Sequence, residues 1–204
     1  MLFMLYSLNY TPELTGIGKY NGELAPFLAE QGDVVDVITA PPYYPEWKIH
    51  NGYRNKWLTV APTKNLIVHR CPLYVPSQVT TIKRLAHLSS FALSSGIKLF
   101  SLYRKKPDVV FVVQPTLFCA PAALLFCKLS GAKSILHIQD FEVDAMFGLG
   151  LGGKDGFLKK IIRKTESWLM RRFDCVSTIS YSMINNARNK GVEDDRLLFF
   201  PNWA

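Results

Sequence analysis

Polar side chains cluster where one apolar strand of the predicted sheet ends. In the segment HIQDFEVDA, His137 and Asp140 lie at the carboxyl end of this strand, and Glu142 and Asp144 lie just beyond it. An imidazole can exchange a proton, and a carboxylate can orient a hydroxyl group of a ligand. We therefore predict catalytic roles for His137 and Asp140, and substrate-binding roles for Glu142 and Asp144.

Simpler explanations compete with these roles. A lone histidine on an apolar strand is more often a hydrogen-bonded core residue, and an aspartate after a strand can be the N-cap of a helix. Both alternatives, for His137 and for Asp140, stay open at this point. Glu142 and Asp144 could hold a metal ion, but no matching carboxylates accompany them, so we predict no metal site.

A second candidate site is the loop after the first predicted strand, LNYTPELTGIGKYNGEL. Gly16 and Gly18 lie between that strand and a helical pattern, with Glu13 and Lys19 beside them. A wide loop over a helix N-terminus presents backbone N–H groups to a phosphate or a sugar, and glycine lets the ligand approach closely. We predict substrate-binding roles for all four residues.

Two alternatives to a binding loop remain for this segment. A dinucleotide fingerprint needs G-x-G-x-x-G directly after the strand. Here the order is G-I-G-K-Y-N-G, one residue too long, and Asp36 lies inside the second strand rather than at its end. The other alternative is a tight turn, in which the glycines only shape the entry to the helix.

Apolar runs that alternate with helical patterns form the frame around these residues. The predicted strands cover 1–8, 34–40, 65–71, 107–113, 134–140, 174–180 and 196–200. The predicted helices cover 18–32, 79–103, 120–132, 155–173 and 181–191. Residues 41–57 are rich in proline and aromatic residues and are predicted to be a long loop. This alternation indicates an α/β fold, a Rossmann-like parallel sheet with helices on both faces.

Composition and charge limit the classes of binding partner that the sequence predicts. The 204 residues are 49% hydrophobic and carry a net charge of +8, which favours anionic partners. No nucleic-acid motif is present, so nucleic acid is not a predicted partner. The sequence contains no run of 18 apolar residues, so no membrane-spanning helix is predicted. The four cysteines are scattered, which indicates the reduced thiols of a cytoplasmic protein. Basic residues in 82–106 and 157–172 are candidate contacts with an anionic membrane surface, with a solvated helix face as the alternative.

Segments spread over the whole chain carry a family resemblance. They are NYTPELTGIGKY, VITAPPYYPEW, RCPLYVP, PTLFCAP, KLSGAKSILHIQDFEVDAMFGLGL, VSTISYSM and FFPNW. Together they resemble the amino-terminal half of the WcaI-type colanic acid biosynthesis glycosyltransferases, which are members of glycosyltransferase family 4. The resemblance implies a GT-B fold. Residues 1–204 would be its amino-terminal, acceptor-side domain, and a carboxy-terminal donor domain would lie outside this chain.

The resemblance also implies roles for particular residues. Gly16 and Gly18 match a loop whose backbone amides approach the phosphates of the donor. Asp140 matches the acid of the family's site. Gln139 stands where many members have a basic residue, so a proton relay through position 139 is not expected, and whether His137 substitutes for it is left open.

The predicted function is transfer of a sugar from a nucleotide-sugar donor to a lipid-linked or saccharide acceptor in exopolysaccharide or surface polysaccharide biosynthesis. The resemblance implies retention of the anomeric configuration and no metal or other cofactor. We expect a cytoplasmic protein, peripheral at the inner face of the membrane, and no turnover by residues 1–204 alone. The alternatives are a non-catalytic carbohydrate- or membrane-binding module and a dinucleotide-dependent oxidoreductase.

Overall fold

One eight-stranded sheet organises the part of the chain that the computed structural model describes, residues 1–14, 16–114, 117–141 and 157–203. Its strands are β1 (Leu2–Ser7), β2 (Val34–Thr39), β3 (Leu58–Thr63), β4 (Leu66–Arg70), β5 (Val109–Gln114), β6 (Lys133–Ile138), β7 (Cys175–Thr178) and β8 (Leu197–Phe199). Their order across the sheet is β3-β4-β2-β1-β5-β6-β7-β8. Every neighbouring pair is parallel except β3 and β4.

Helices cover both faces of this sheet. Within the described ranges they are α1 (Ile17–Glu30), α2 (Thr81–Ser101), α3 (Ala120–Ser130), α4 (Phe157–Met170) and α5 (Tyr181–Asn189). On one face, Ala25 of α1 belongs to the same apolar cluster as Val37 of β2. On the other face, Phe91 of α2 and Phe126 of α3 cluster with Ile38 of β2. The predicted α/β sheet with helices on both faces is confirmed.

The central strands are the ones that the sequence predicts best. In β1 and in β5, five of six residues are buried. A strand buried on both faces must be apolar at nearly every position, which produces a continuous hydrophobic run in the sequence. The predicted strands 1–8 and 107–113 correspond to this pair.

The edge strand β3 was not predicted. It follows the loop 41–57 and pairs antiparallel with β4, with a register shift between Val60 and Thr63. All six of its residues are exposed. Because β3 buries neither face, its sequence shows no alternation of apolar and polar residues, and the pattern gave no signal for it.

The parallel topology brings the carboxyl ends of all strands except β3 to one edge of the sheet. In open α/β sheets, ligands bind in the crevice outside this edge.

None of the helices in the described ranges has the length and apolar character that a membrane-spanning segment needs. Three of the four cysteines, Cys71, Cys119 and Cys127, are buried.

Candidate functional site

A cavity of about 430 Å³ lies at the carboxyl edge of the sheet. Its wall comes from the loops after several parallel strands and from the first turns of α1 and α2. The lining residues are Leu8, Asn9, Gly16, Ile17, Tyr43, Tyr44, Trp47, Arg84, His87, Leu88, Gln139, Asp140, Ile179 and Asn202. This set mixes aromatic and hydrogen-bonding side chains, as ligand sites generally do.

Asp140 lies in the wall of this cavity, two residues after the end of β6. It is exposed, and no hydrogen bond to its carboxylate is found among the described residues. The carboxylate is therefore accessible to a ligand. Asp140 thus lies in the cavity wall, and its catalytic role stays a prediction.

Gln139 holds the end of β6 in place through a reciprocal pair of amides. Its Nε2 donates to Oδ1 of Asn202 and its Oε1 accepts from Nδ2 of Asn202, each at 3.0 Å. Asn202 follows β8, so the pair links the loops after two strands. Gln139 Nε2 is also 3.0 Å from Nε2 of His137. An amide nitrogen can only donate, so Nε2 of His137 accepts, and its Nδ1 donates to Oγ of Ser177 at 2.9 Å.

His137 itself does not line the cavity. It is buried, its ring stacks on Phe111 with centroids 5.2 Å apart, and Phe200 packs against it edge-on. Burial lowers the pKa of His137 to about 4, so the imidazole is neutral at physiological pH. The predicted catalytic imidazole is therefore revised: His137 is a buried residue that positions Gln139, which stands next to Asp140.

Glu13 is the clearest correction to the predicted ligand contacts. It is buried, and its Oε1 accepts hydrogen bonds from the backbone N–H groups of Tyr43 and Tyr44 at 2.9 and 3.0 Å. Its Oε2 accepts from Nδ2 of Asn9 at 2.8 Å. Burial raises the pKa of Glu13, against the lowering effect of these three hydrogen bonds. Both oxygens are used, so Glu13 joins two loops of the cavity wall rather than binding a ligand.

The two glycines of the loop have different roles. Gly16 lines the cavity as the residue before α1, and its backbone has φ 53° and ψ −130°. This combination is close to exclusive to glycine. Gly18 is buried instead: a Cβ there would lie 2.6 Å from Cβ of Glu13 and 2.8 Å from its carbonyl oxygen. The predicted ligand contact at Gly18 is corrected to a packing contact, whereas the prediction for Gly16 stays open.

Lys19 lies on the side of α1 that carries Tyr20 and Glu23. Its Nζ is 3.8 Å from Oε1 of Glu23 and 5.0 Å from the centre of the Tyr20 ring. It is not among the residues that line the cavity. The structure thus separates Lys19 from the predicted site, and its role as a substrate ligand is not supported.

His87 is a residue of the cavity wall that sequence reasoning missed. It is 1% exposed, and its Nδ1 donates to the carbonyl oxygen of Tyr74 at 2.6 Å. Burial lowers the pKa of His87, an effect that the bond to Tyr74 opposes and the charge of Arg84 adds to. The imidazole is therefore neutral. Position 87 falls within the predicted helix 79–103, where a buried histidine gives no signal that distinguishes a ligand from core.

The position of Asp36 in β2 argues against a dinucleotide-binding site. Asp36 is buried in the middle of this strand and accepts hydrogen bonds from Nε2 of His69 at 2.9 Å and from Nζ of Lys105 at 2.7 and 2.8 Å. Burial alone would raise the pKa of Asp36, but these bonds lower it. An acid held in this way inside the strand cannot reach a ribose at the carboxyl edge.

Two predicted ligands, Glu142 and Asp144, lie outside the described residues. Among the residues that are described, no group of three or more histidine, cysteine, aspartate or glutamate side chains could hold a metal ion.

Gln114 at the end of β5 is a further polar residue at this edge. It is completely buried, and neither atom of its amide has a hydrogen-bond partner in the described part of the chain.

Comparison with known proteins finds a matching family model and a curated relative. Residues 15–203 match the model of a family described as the glycosyl transferase 4-like domain. A curated protein of Escherichia coli (strain K12), named as a colanic acid biosynthesis glycosyl transferase, WcaI, is 52% identical over 206 residues. The alignment covers 100% of this chain and 50% of that protein. The chain thus spans about half the length of the curated relative that it matches.

Solved structures resemble this fold at low sequence identity. Sucrose-phosphate synthase from Thermosynechococcus elongatus matches with a TM-score of 0.64 and 11% identity, covering 100% of this chain and 90% of that one. The catalytic domain of starch synthase IV from Arabidopsis thaliana matches with a TM-score of 0.63 and 15% identity, covering 98% of this chain and 51% of that one. The architecture is that of the Rossmann-like half of a GT-B protein.

Proposed function

The chain belongs to the glycosyl transferase 4-like family, and from that premise we propose that it is the acceptor-side domain of a glycosyltransferase. The full-length enzyme moves a sugar from a nucleotide-sugar donor to a lipid-linked or saccharide acceptor in the synthesis of an exopolysaccharide or other surface polysaccharide. The name of its curated relative supports this pathway class. The donor domain corresponds, in this proposal, to the half of the relative that the chain does not match.

One observation carries the proposal: the exposed carboxylate of Asp140 shares a cavity with the N-terminus of α1. A glycosyl transfer needs one group that orients a hydroxyl and another that stabilises a departing phosphate. Asp140 can do the first, because an ionised carboxylate accepts a hydrogen bond from a hydroxyl group. The helix end can do the second.

The N-terminus of α1 is suited to a phosphate for two reasons. The first N–H groups of a helix have no partners within it, and the helix dipole places partial positive charge there. Gly16, the residue before the helix, provides no side-chain cap, and a Cβ at this position would meet nothing within 4 Å. These features favour binding of the donor's diphosphate at this helix end.

In the reaction we propose, electrostatic stabilisation does most of the work. Negative charge develops on the leaving diphosphate, next to the helix N-terminus, while the sugar becomes oxocarbenium-like. Asp140 orients the attacking acceptor hydroxyl or a hydroxyl of the sugar. As the family resemblance implies, the product retains the anomeric configuration of the donor, and no metal or other cofactor takes part.

A lipid-linked acceptor requires the enzyme to reach a membrane, and a surface formed by α2 and α3 suits that contact. The two helices pack side by side, with Gly96 of α2 facing Ala122 of α3. Their outer side exposes Leu93 (73%) and Ile97 (67%) of α2 and Leu129 (54%) of α3. Clustered apolar side chains of this size mark interaction sites.

Basic residues lie on or directly after the same two helices. Lys98 and Lys128 lie on the two helices, and Arg104 and Lys106 follow α2. Each basic residue near an anionic membrane contributes about 1 kcal/mol of binding. We therefore propose that the α2–α3 surface, defined by these four residues and the exposed leucines and isoleucine, attaches the enzyme peripherally to an anionic membrane.

Sugar transfer by the full-length protein tests the proposed function. Purified protein is incubated with radiolabelled UDP- and GDP-sugars and with a lipid extract as acceptor, and the products are separated by chromatography. We expect labelled glycolipid from the full-length protein, with the donor's anomeric configuration in its NMR spectrum, and none from residues 1–204 alone.

Two results would direct the assignment elsewhere. Saccharide binding without transfer from any donor would favour a non-catalytic carbohydrate-binding module. Reduction of a nicotinamide cofactor by the full-length protein would favour an oxidoreductase.

A further inference from the structure

A buried hydrogen-bond acceptor without a partner stands in the cavity wall. Nδ1 of His87 donates to the carbonyl of Tyr74, so Nε2 carries a free lone pair. Nε2 is buried and makes no hydrogen bond in the described part of the chain. Leaving such an atom unsatisfied destabilises the folded protein. His87 also lines the cavity, so a ligand there can supply the missing donor.

The chemistry of this lone pair restricts the ligand. It attracts an O–H or N–H group and repels the oxygens of a phosphate. The donor's diphosphate is therefore excluded from this position, in contrast to the N-terminus of α1. A ligand with several hydroxyl groups, such as a saccharide, fits the requirement.

Aromatic rings next to His87 add a second requirement. The ring of Tyr43 packs 4.7 Å from the imidazole and that of Trp47 packs 5.1 Å from it, centroid to centroid. All three residues line the cavity, together with Arg84. Tyr43 is buried, whereas Trp47 is only half-buried. A pyranose ring has one face of C–H groups that packs well on such an aromatic face, and its edge carries hydroxyl groups.

We propose that His87, Tyr43 and Trp47 form a subsite for a pyranose ring of the acceptor. One sugar hydroxyl donates to Nε2 of His87, and the C–H face of the ring packs on Trp47, whose side chain shifts to uncover Nε2. The identification of the sugar as the acceptor rests on the proposed function, but the saccharide subsite itself can be tested without any transfer assay.

Residues 1–204 and the full-length protein are each titrated with methyl glycosides of glucose, galactose and mannose as probes. Binding is followed by tryptophan fluorescence, and the ¹⁵N resonance of Nε2 in His87 is followed by NMR. His87→Asn retains a donor for the Tyr74 carbonyl but removes Nε2. His87→Gln, the matched variant, places an amide oxygen near the position of Nε2. Unfolding curves report whether each variant is folded.

We expect at least one glycoside to bind and to shift the Nε2 resonance. His87→Asn should weaken its binding by about tenfold or more, and His87→Gln should recover part of the loss. Equal affinity in His87→Asn, a glycoside complex in which the wild-type Nε2 resonance does not move, or failure of every probe to bind would overturn the subsite. Because the wild-type NMR result needs no variant, misfolding of His87→Asn leaves the test intact.

This outcome is independent of the proposed function. Sugar transfer by the full-length protein with no glycoside at His87 would remove the subsite and leave the enzyme assignment. Glycoside binding at His87 without transfer from any donor would support the subsite and remove the enzyme assignment.

Discussion

Glu13 and Gly18 meet inside the protein, close to the cavity but not in it. The carboxylate of Glu13 bonds to the backbone of Tyr43 and Tyr44, and α1 approaches Glu13 closely because position 18 has no side chain. Gly22, one turn later, faces Thr11 in the same way, where a Cβ would lie 2.7 Å from Cβ of Thr11. At the residue scale, the glycine spacing of this loop therefore reflects helix packing as well as ligand access.

The first prediction separates backbone strain from ligand access at Gly16. Gly32 also has a positive φ, 94°, and a Cβ there would meet nothing within 4 Å, but it lies at the other end of α1. Gly16→Ala and Gly32→Ala should each cost about 1–3 kcal/mol of folding stability. Only Gly16→Ala should also lower sugar transfer, by about tenfold or more, because Gly16 lines the cavity and Gly32 does not.

Denaturation curves and initial rates of the full-length variants check this prediction. Gly18→Ala is a third member of the set, and it should lose stability through the clash with Glu13. Equal activity losses in Gly16→Ala and Gly32→Ala would show that strain alone explains the effect at Gly16.

The second prediction concerns the buried imidazole of His137. Its pKa falls from 6.5 in the unfolded chain to about 4 in the folded protein. The unfolded state therefore binds the proton first, and stability that is present above pH 6.5 is lost as the pH falls toward 4. The shift corresponds to about 3 kcal/mol. His137→Asn, which keeps a donor for Ser177 but does not titrate, should lack this loss.

Urea denaturation of the wild type and His137→Asn over this pH range measures the difference directly. Other titrating groups are common to both proteins and cancel in the comparison. Parallel stability profiles would mean that His137 is not held neutral by its surroundings.

At the element scale, the strands differ in how much of their position the sequence could predict. β1 and β5 are buried on both faces, and their apolar runs define them. β3 is fully exposed and exists because β4 offers it an edge, which is a contact between segments and not a local pattern. The loop 41–57 was predicted as a loop, but the sequence did not show that Tyr43 and Trp47 would pack on His87 of α2.

The third prediction tests the α2–α3 surface as the membrane contact. Charge reversal at Lys98, Arg104 and Lys106 should reduce binding to anionic vesicles. Lys105 is left unchanged, because its Nζ bonds to the buried Asp36 and its reversal would disturb the fold. Each reversal removes about 1 kcal/mol of attraction at low salt, and moderate salt should weaken binding of the wild type.

The matched control is charge reversal at Lys160, Arg163 and Lys164 of α4, which should reduce vesicle binding less. Co-sedimentation with vesicles of anionic or neutral phospholipid gives the readout. Equal binding to both kinds of vesicle, or an equal loss of binding in the α4 variant, would contradict the α2–α3 surface as the membrane contact.

At the scale of the whole molecule, the sequence predicted the fold class and the edge of the sheet that carries the site. It also pointed to Asp140, which comes two residues after β6, and to Gly16, which comes directly before α1; both line the cavity, and their roles stay predictions. The remaining residues of the cavity come together through long-range contacts that no local pattern encodes. Asn202 reaches Gln139 from 63 positions away, and Glu13 reaches Tyr43 from 30.

The central claim is that Asp140 acts directly on a substrate in a glycosyltransferase, and the turnover of full-length Asp140→Ala tests it. Asp140 is exposed and makes no hydrogen bond within the described ranges, so its replacement should leave the melting temperature nearly unchanged. The initial rate of sugar transfer should fall at least about tenfold, a loss of about 1.4 kcal/mol in transition-state stabilisation. Wild-type turnover in Asp140→Ala, or a rate that falls only in proportion to a large loss of melting temperature, would contradict the account.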